Sequence, residues 1–411
     1  MPRLNSRNPA DPPREPMPPP DLPVFPFHTP DELDHEPIHA TLRRSDPVPR
    51  VRLASGGEAF LVARYEDVKR VYVDRVFSRA AATQPGAATL RPTRMNPHVV
   101  VSMDPPDHTR VRRLLNHAFT PRAVERMRPR VQDMASELAG KMIAQGPPAD
   151  FAAMFAEPLP AMALSALLGV PDHEQLRTWM DAAMSITAHT PDQMRSAAQE
   201  MLEYLARHVA ARRADPRQDL LSALIEARDG SDRLSEAELL YTPYILLIGG
   251  YETTATLLAN SVLTLDRHPG QFAMLGERPE LIPQAVEELL RYVRISRASL
   301  ERVAIEDVEL SGVRIPKGST VIMLKYSANR DESVIDDPDR FDMTRETAPH
   351  MAFGMGIHHC IGAALARLEL EVALETLVSR LPGLRPARPA RELTWKSGLI
   401  TRGPVELPVV W

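Results

Sequence analysis

The chain has 411 residues, 44% of them hydrophobic and 25% charged, which is enough to bury a large core and rules out a disordered or fibrous protein. Its formal net charge of −5 supplies no field for holding a polyanion, so nucleic-acid binding is disfavoured. No stretch nears the ~20 apolar residues of a membrane span, and the N-terminus lacks the charged-then-apolar order of a signal peptide, so a cytoplasmic protein with no membrane partner is expected.

Residues 1–23 are crowded with proline, Pro12, Pro13, Pro18, Pro19 and Pro20 among them, and read as a mobile or surface-wrapped tail. From Val24 to Trp411 no Gly/Ser linker, low-complexity run or repeat interrupts the chain, which reads as a single domain over 24–411. Strand-like pieces come first at 51–53 and 59–63. Helical periodicity follows over 123–145 and 193–213. Ser235 with Glu238 is a capping-box pattern that opens a helix continuing to His268, a span of roughly 50 Å at ~1.5 Å per residue. Its centre, YILLIGGYETTATLLANSVL, is apolar on nearly every face and should cross the interior. Pro243 lies within this run, where it should kink the helix or move its start later. A further helix is predicted from Pro283 to Arg294, and short strands joined by turns over 303–324. The fold class expected is mainly α with a small β lobe.

The chain has one cysteine, so it can form neither an internal disulfide nor a cysteine zinc cluster, and Cys360 acts alone or with a cofactor. It stands in Phe353-Gly354-Met355-Gly356-Ile357-His358-His359-Cys360-Ile361-Gly362, directly before an amphipathic helical run. A thiolate at a helix N-terminus meets backbone N–H groups and the positive end of the helix dipole. Glycines there let the backbone lie against a large planar ligand. Such a cysteine suits axial ligation of heme, where thiolate donation favours O–O cleavage.

This loop resembles the heme-binding loop of the cytochrome P450 family. Glu288 and Arg291 match the family's ExxR pair, which by resemblance braces the fold behind the heme; taken alone they would be an ordinary i,i+3 surface ion pair. His108 and Arg112, one helical turn apart, resemble the HxxxR that binds heme propionates, and Arg302 and His358 match further propionate-contacting positions. Gly249-Gly250-Tyr251-Glu252-Thr253-Thr254 resembles the oxygen-activation motif. A Gly leaves room above a ligand plane, a Thr hydroxyl can bond back to a carbonyl, and a carboxylate inside an apolar helix is costly without a role.

The resemblance therefore implies the P450 fold, with the long central helix over a heme b and the cysteine loop beneath it. Cys360 is expected as iron ligand, with His108, Arg112, Arg302, His358, Phe353 and Gly354 also at the cofactor, and Glu252 and Thr253 as catalytic residues. The activity implied is O2-dependent hydroxylation or epoxidation of a medium or large apolar small molecule in bacterial secondary metabolism, such as antibiotic biosynthesis. Electrons would come from a separate ferredoxin and ferredoxin reductase, docking near Arg110, Arg113 and Arg122. Pocket walls are expected from 78–103, 172–196, Leu246, Leu247, Gly250, 293–300 and Leu399-Ile400, while Tyr251 and the polar run Arg294, Ser296, Arg297, Ser299 have no counterpart in the common pattern. A peroxide-driven peroxygenase or a non-catalytic heme-thiolate sensor are the alternatives. Retention of Glu252 and Thr253 speaks against the first, and an assay with redox partners separates the second.

Overall fold

The computed structural model describes residues 22–27, 33–171, 174–229, 234–346 and 348–411. The proline-rich segment falls outside these up to residue 21. At the end of the predicted tail, Val24–Phe25 forms a parallel strand pair with Arg52 and Leu53.

The central helix runs Glu236–Arg267, and Ser235 caps it as its sequence predicts. The Ser235 hydroxyl accepts from the Glu238 amide at 3.1 Å, and the Glu238 carboxylate accepts from the Ser235 amide at 2.7 Å. Both orphan donors of the first turn are thereby satisfied. The helix begins ahead of Pro243 and continues through it, so the proline does not set its start. Burial on almost every face from Leu246 to Leu265 holds the helix against the missing hydrogen bond. It packs on the helices Pro158–Leu168, Glu174–Ala183 and Pro191–Ala214.

The reading of 123–145 as one helix is corrected. Pro121–Glu125 forms a short helix capped by Thr120, and a second helix begins anew at Arg128–Gln145. Pro129 explains the break: it fits a first helical turn, whose N–H groups lack partners anyway, and would cost a hydrogen bond farther in. The 193–213 pattern is a helix over Pro191–Ala214, and the predicted 283–294 helix is Ile282–Tyr292.

The β lobe is a six-stranded sheet in the order Val24–Phe25, Arg50–Leu53, Glu58–Val62, Thr320–Met323, Arg302–Ala304, Phe77–Ser78. Glu58–Val62 lies parallel to Thr320–Met323, with Phe60 opposite Val321, and Arg302 pairs with Val321 from the other side. All four residues of the central strand Thr320–Met323 are buried, as a strand covered on both faces must be. Residues 302–304 are thereby fixed at a sheet strand beside the helical body.

Glu288 and Arg291 are a buried pair, 4% and 1% exposed. Arg291 donates to both carboxylate oxygens at 2.7 and 2.8 Å and to the carbonyls of Asn329, Pro338 and Arg340. One guanidinium fork thus ties the Ile282–Tyr292 helix to the long segment leading toward Cys360.

Candidate active site

The cysteine loop is held by its own backbone. The Cys360 amide donates to the Phe353 carbonyl at 2.9 Å and the His359 amide to Gly356 at 3.0 Å. Gly356 has φ +72°, and a Cβ there would lie 2.9 Å from the Tyr72 carbonyl oxygen, so any larger side chain would be both strained and obstructed. Cys360 stands just ahead of the helix Ala363–Arg380. Burial pushes its thiol up, while the Gly362 amide and the charges of Lys325, Arg112 and Arg367 pull the other way. A sulfur so placed is a poor free thiolate and a good ligand, because coordination to a metal ion deprotonates it.

A cavity of about 800 Å³ is lined both by Phe353, Gly354, His358 and Cys360 of this loop and by Gly249, Gly250, Thr253 and Thr254 of the central helix. A Cβ at Gly249 would meet nothing within 4 Å; the helix there faces open space. Arg112 and Arg302 also line the cavity. Arg112 donates to the His359 carbonyl at 2.7 Å and to Asn116 at 2.9 Å. His108 is buried, its ring centroid 4.4 Å from that of His358. The His108 Nε2, His358 Nε2 and Arg302 Nε atoms are buried with no hydrogen-bond partner among the described residues. Arg302 and His358 line one end of the cavity and His108 lies directly behind His358, and three such orphaned donors or acceptors are costly unless a polar group enters. Two carboxylates of a planar cofactor match that demand, and a lone thiol in the same cavity matches its iron; the residues fit heme. Burial and Arg302 push His358 down to about 2, so it is a neutral imidazole able to donate one hydrogen bond.

The two catalytic candidates diverge. Thr253 lines the cavity, and its hydroxyl donates to the Gly249 carbonyl at 2.5 Å. Glu252 is fully buried, and its carboxylate is turned away from the cavity. It accepts from Lys396 Nζ at 3.0 and 3.2 Å, from Thr256 at 3.2 Å and from Thr401 at 3.2 Å. Lys396 also approaches Glu157 at 3.6 Å, which pairs with Arg177 at 3.1 Å. Lys396 lies 144 residues from Glu252 in a segment without a motif, and no sequence signal marks it.

Several predicted wall residues do line the cavity, including Leu246, Gly250, Ser296, Ser299 and Ile400, whereas Leu247 and Leu399 belong to the core. Arg294 is no pocket residue: it is buried and paired with Glu36. Tyr251 also faces away, toward Glu157 and Asp181. Ser299 bonds the Tyr72 hydroxyl at 2.9 Å. Tyr241, Tyr244, Gln199 and Leu202 join the wall, brought there by helix packing that local pattern does not encode.

Comparison with known proteins decides the family. The family model for cytochrome P450 matches residues 163–382. Nocardicin C N-oxygenase of Nocardia uniformis subsp. tsuyamanensis is 45% identical over 391 residues, 94% of this chain and 98% of that protein. The chain belongs to the cytochrome P450 family. Mycinamicin IV hydroxylase/epoxidase of Micromonospora griseorubida is likewise 45% identical, over 94% of this P450 and 98% of the relative. The crystal structure of HinD with NMFT and NO superposes with a TM-score of 0.92 at 44% identity, covering 95% of this chain and 100% of that one. This P450 is accordingly a heme b monooxygenase acting with O2 on a small molecule. Among the described residues no helix is long and apolar enough to cross a membrane.

Proposed function

We propose that this P450 oxygenates a medium or large, mainly apolar small molecule of bacterial secondary metabolism, with Cys360 as the iron ligand, in the cytoplasm. The observation that carries the reading is the single cavity walled by Cys360 on one element and Thr253 on another. The names of the mycinamicin and nocardicin relatives support an antibiotic pathway. Heme bound there supplies O2 binding and activation, which thiolate donation turns toward O–O cleavage.

The protein's share is ligation, orientation and proton control. His108, Arg112, Arg302 and His358 would hold the propionates, and Phe353 and Gly354 would shape the loop that receives the cofactor. Thr253 donates to the Gly249 carbonyl, which leaves its oxygen lone pairs free to hold, by accepting its hydrogen bond, a water that would serve as proton donor in the cavity. Glu252 acts behind the wall. Thr401 lines the cavity and bonds its carboxylate, and Lys396 links it to Glu157, a route for replacing protons in a water-poor site, with Arg177 positioning the Glu157 carboxylate rather than relaying a proton.

Electrons come from a ferredoxin and its reductase. Arg113 and Arg122 are exposed on the helices ahead of the Arg128–Gln145 helix and are the docking residues proposed; Arg110 is engaged by Glu238 at 2.6 Å. The test is spectroscopic and catalytic together. The reduced, CO-bound protein shows the red-shifted Soret band of thiolate ligation, Cys360→Ala abolishes it, and natural-product scaffolds that change the heme spin state yield oxygenated product with a surrogate ferredoxin pair. Retention of the band in Cys360→Ala overturns the ligand, and spin-state ligands that never give product favour a sensor.

A further inference from the structure

The cavity wall is lopsided in charge. Seven of its lining side chains are cationic and one, Glu369, is acidic. Burial pushes Glu369 up to about 8, so at neutral pH even that group is mostly uncharged.

Most of the cations are accounted for. Arg112 and Arg302 stand at the propionate end, and Lys325 donates to the Ala352 carbonyl at 3.1 Å beside the cysteine loop. Arg79 donates to the carbonyls of Val101 and Glu301, Arg195 pairs with Asp192 on the surface, and Arg94 is exposed and bonds the Ala87 carbonyl at 3.0 Å. Arg91 is different. Its Nη1 donates to the Ala183 carbonyl at 3.1 Å, the last residue of the Glu174–Ala183 helix. Its Nη2 is buried with no hydrogen-bond partner, and no carboxylate pairs with it among the described residues. A guanidinium has five donors in a fixed fork suited to a planar anion, and a buried donor left unsatisfied is costly.

We propose that Arg91 is a substrate-binding residue and that the substrate carries a carboxylate on its otherwise apolar frame, seated on the Arg91 fork. This rests on the reading that the cavity is the substrate site and narrows the substrate class within it. Tyr244, which also lines the cavity, supports the assignment. It lies close enough to feel the Arg91 charge, and burial holds its hydroxyl up at about 12, so it remains a proton donor that a carboxylate can use. The apolar wall of Val99, Val100, Met184, Met194 and Ile245 receives the rest of the molecule.

The test uses dodecanoate and 4-biphenylacetate, each beside its methyl ester and primary amide, titrated into the heme-loaded enzyme by Soret shift and by calorimetry. The acids bind at least ~10-fold more tightly than their neutral partners, as a charge-assisted fork contact requires. Arg91→Leu removes that preference while leaving ester affinity within about twofold, and Arg91→Lys keeps part of it. Equal binding of acid and amide by the parent overturns the proposal, and so does a preference that survives in Arg91→Leu; in both cases bound esters leave the substrate-cavity reading standing. Silence from acids and neutral compounds alike overturns both readings. Should Arg91→Leu fail to fold, the parent's acid-to-amide ratio decides.

Discussion

Glu369 shows how a single side chain in the cavity wall couples to pH. It is 1% exposed, and burial alone raises its carboxyl to about 8 from an ordinary value of 4.5. Below the ordinary value both folded and unfolded chains hold the proton, so there is no penalty. As pH rises toward 8 the unfolded chain releases the proton while the folded one keeps it, and stability falls. Glu369→Gln keeps the shape without the ionisation. It should unfold like the parent near pH 4 and be more stable by a few kcal/mol at pH 8, read from urea midpoints across that range. Thr253→Ala belongs to the same scale. It should still bind substrate and consume O2 but release much of the reducing power as hydrogen peroxide, seen in the ratio of product to nicotinamide oxidised; coupling as tight as the parent's would reduce Thr253 to packing. That Cys360 and Thr253 face one cavity was legible in the sequence because each sits in a short run whose neighbours build its environment. Lys396 and Arg91 were not, since what gives them meaning is a contact made 144 and 92 residues away.

At the scale of elements, the central helix owes its position to pairs that reach across the chain. Its capping box and its apolar centre are written locally, and both ends lie within a residue of the expected ones. What anchors the buried Glu252 is the C-terminal segment that carries Lys396 and Thr401, and no periodicity announces such a partner. Lys396→Met leaves that carboxylate buried and unpaired, which should cost about 2–4 kcal/mol, somewhat below a fully buried pair because Lys396 retains some solvent contact. Adding Glu252→Gln removes the stranded charge and should recover most of the loss, a non-additivity read directly from a double-mutant cycle in urea. Additive losses would mean that the two side chains do not depend on each other. The split of the 123–145 pattern into two helices has a similar lesson: Pro129 was visible, and its fitness for a first turn outweighed a periodicity that ran across it.

For the molecule as a whole, the fold class followed from helical periodicity and a few clustered strand patterns, yet the sheet joins residues 24–25 to 302–323 in a register no local run specifies. Long-range charge belongs to this scale as well. Arg113→Glu with Arg122→Glu should raise the KM for ferredoxin several-fold, with the gap from the parent narrowing as salt screens the surface, while the CO-bound spectrum and substrate affinity stay unchanged. An unaltered KM would move the docking face elsewhere. The molecule's one thiol also stands in the wall of the cavity of about 800 Å³. As the proposed iron ligand, Cys360 would be shielded from alkylation in loaded protein, so maleimide taken up there on prolonged exposure would mark polypeptide that lacks the cofactor. Stoichiometric labelling, measured by intact mass, therefore counts the empty fraction chemically, without any reference to absorbance.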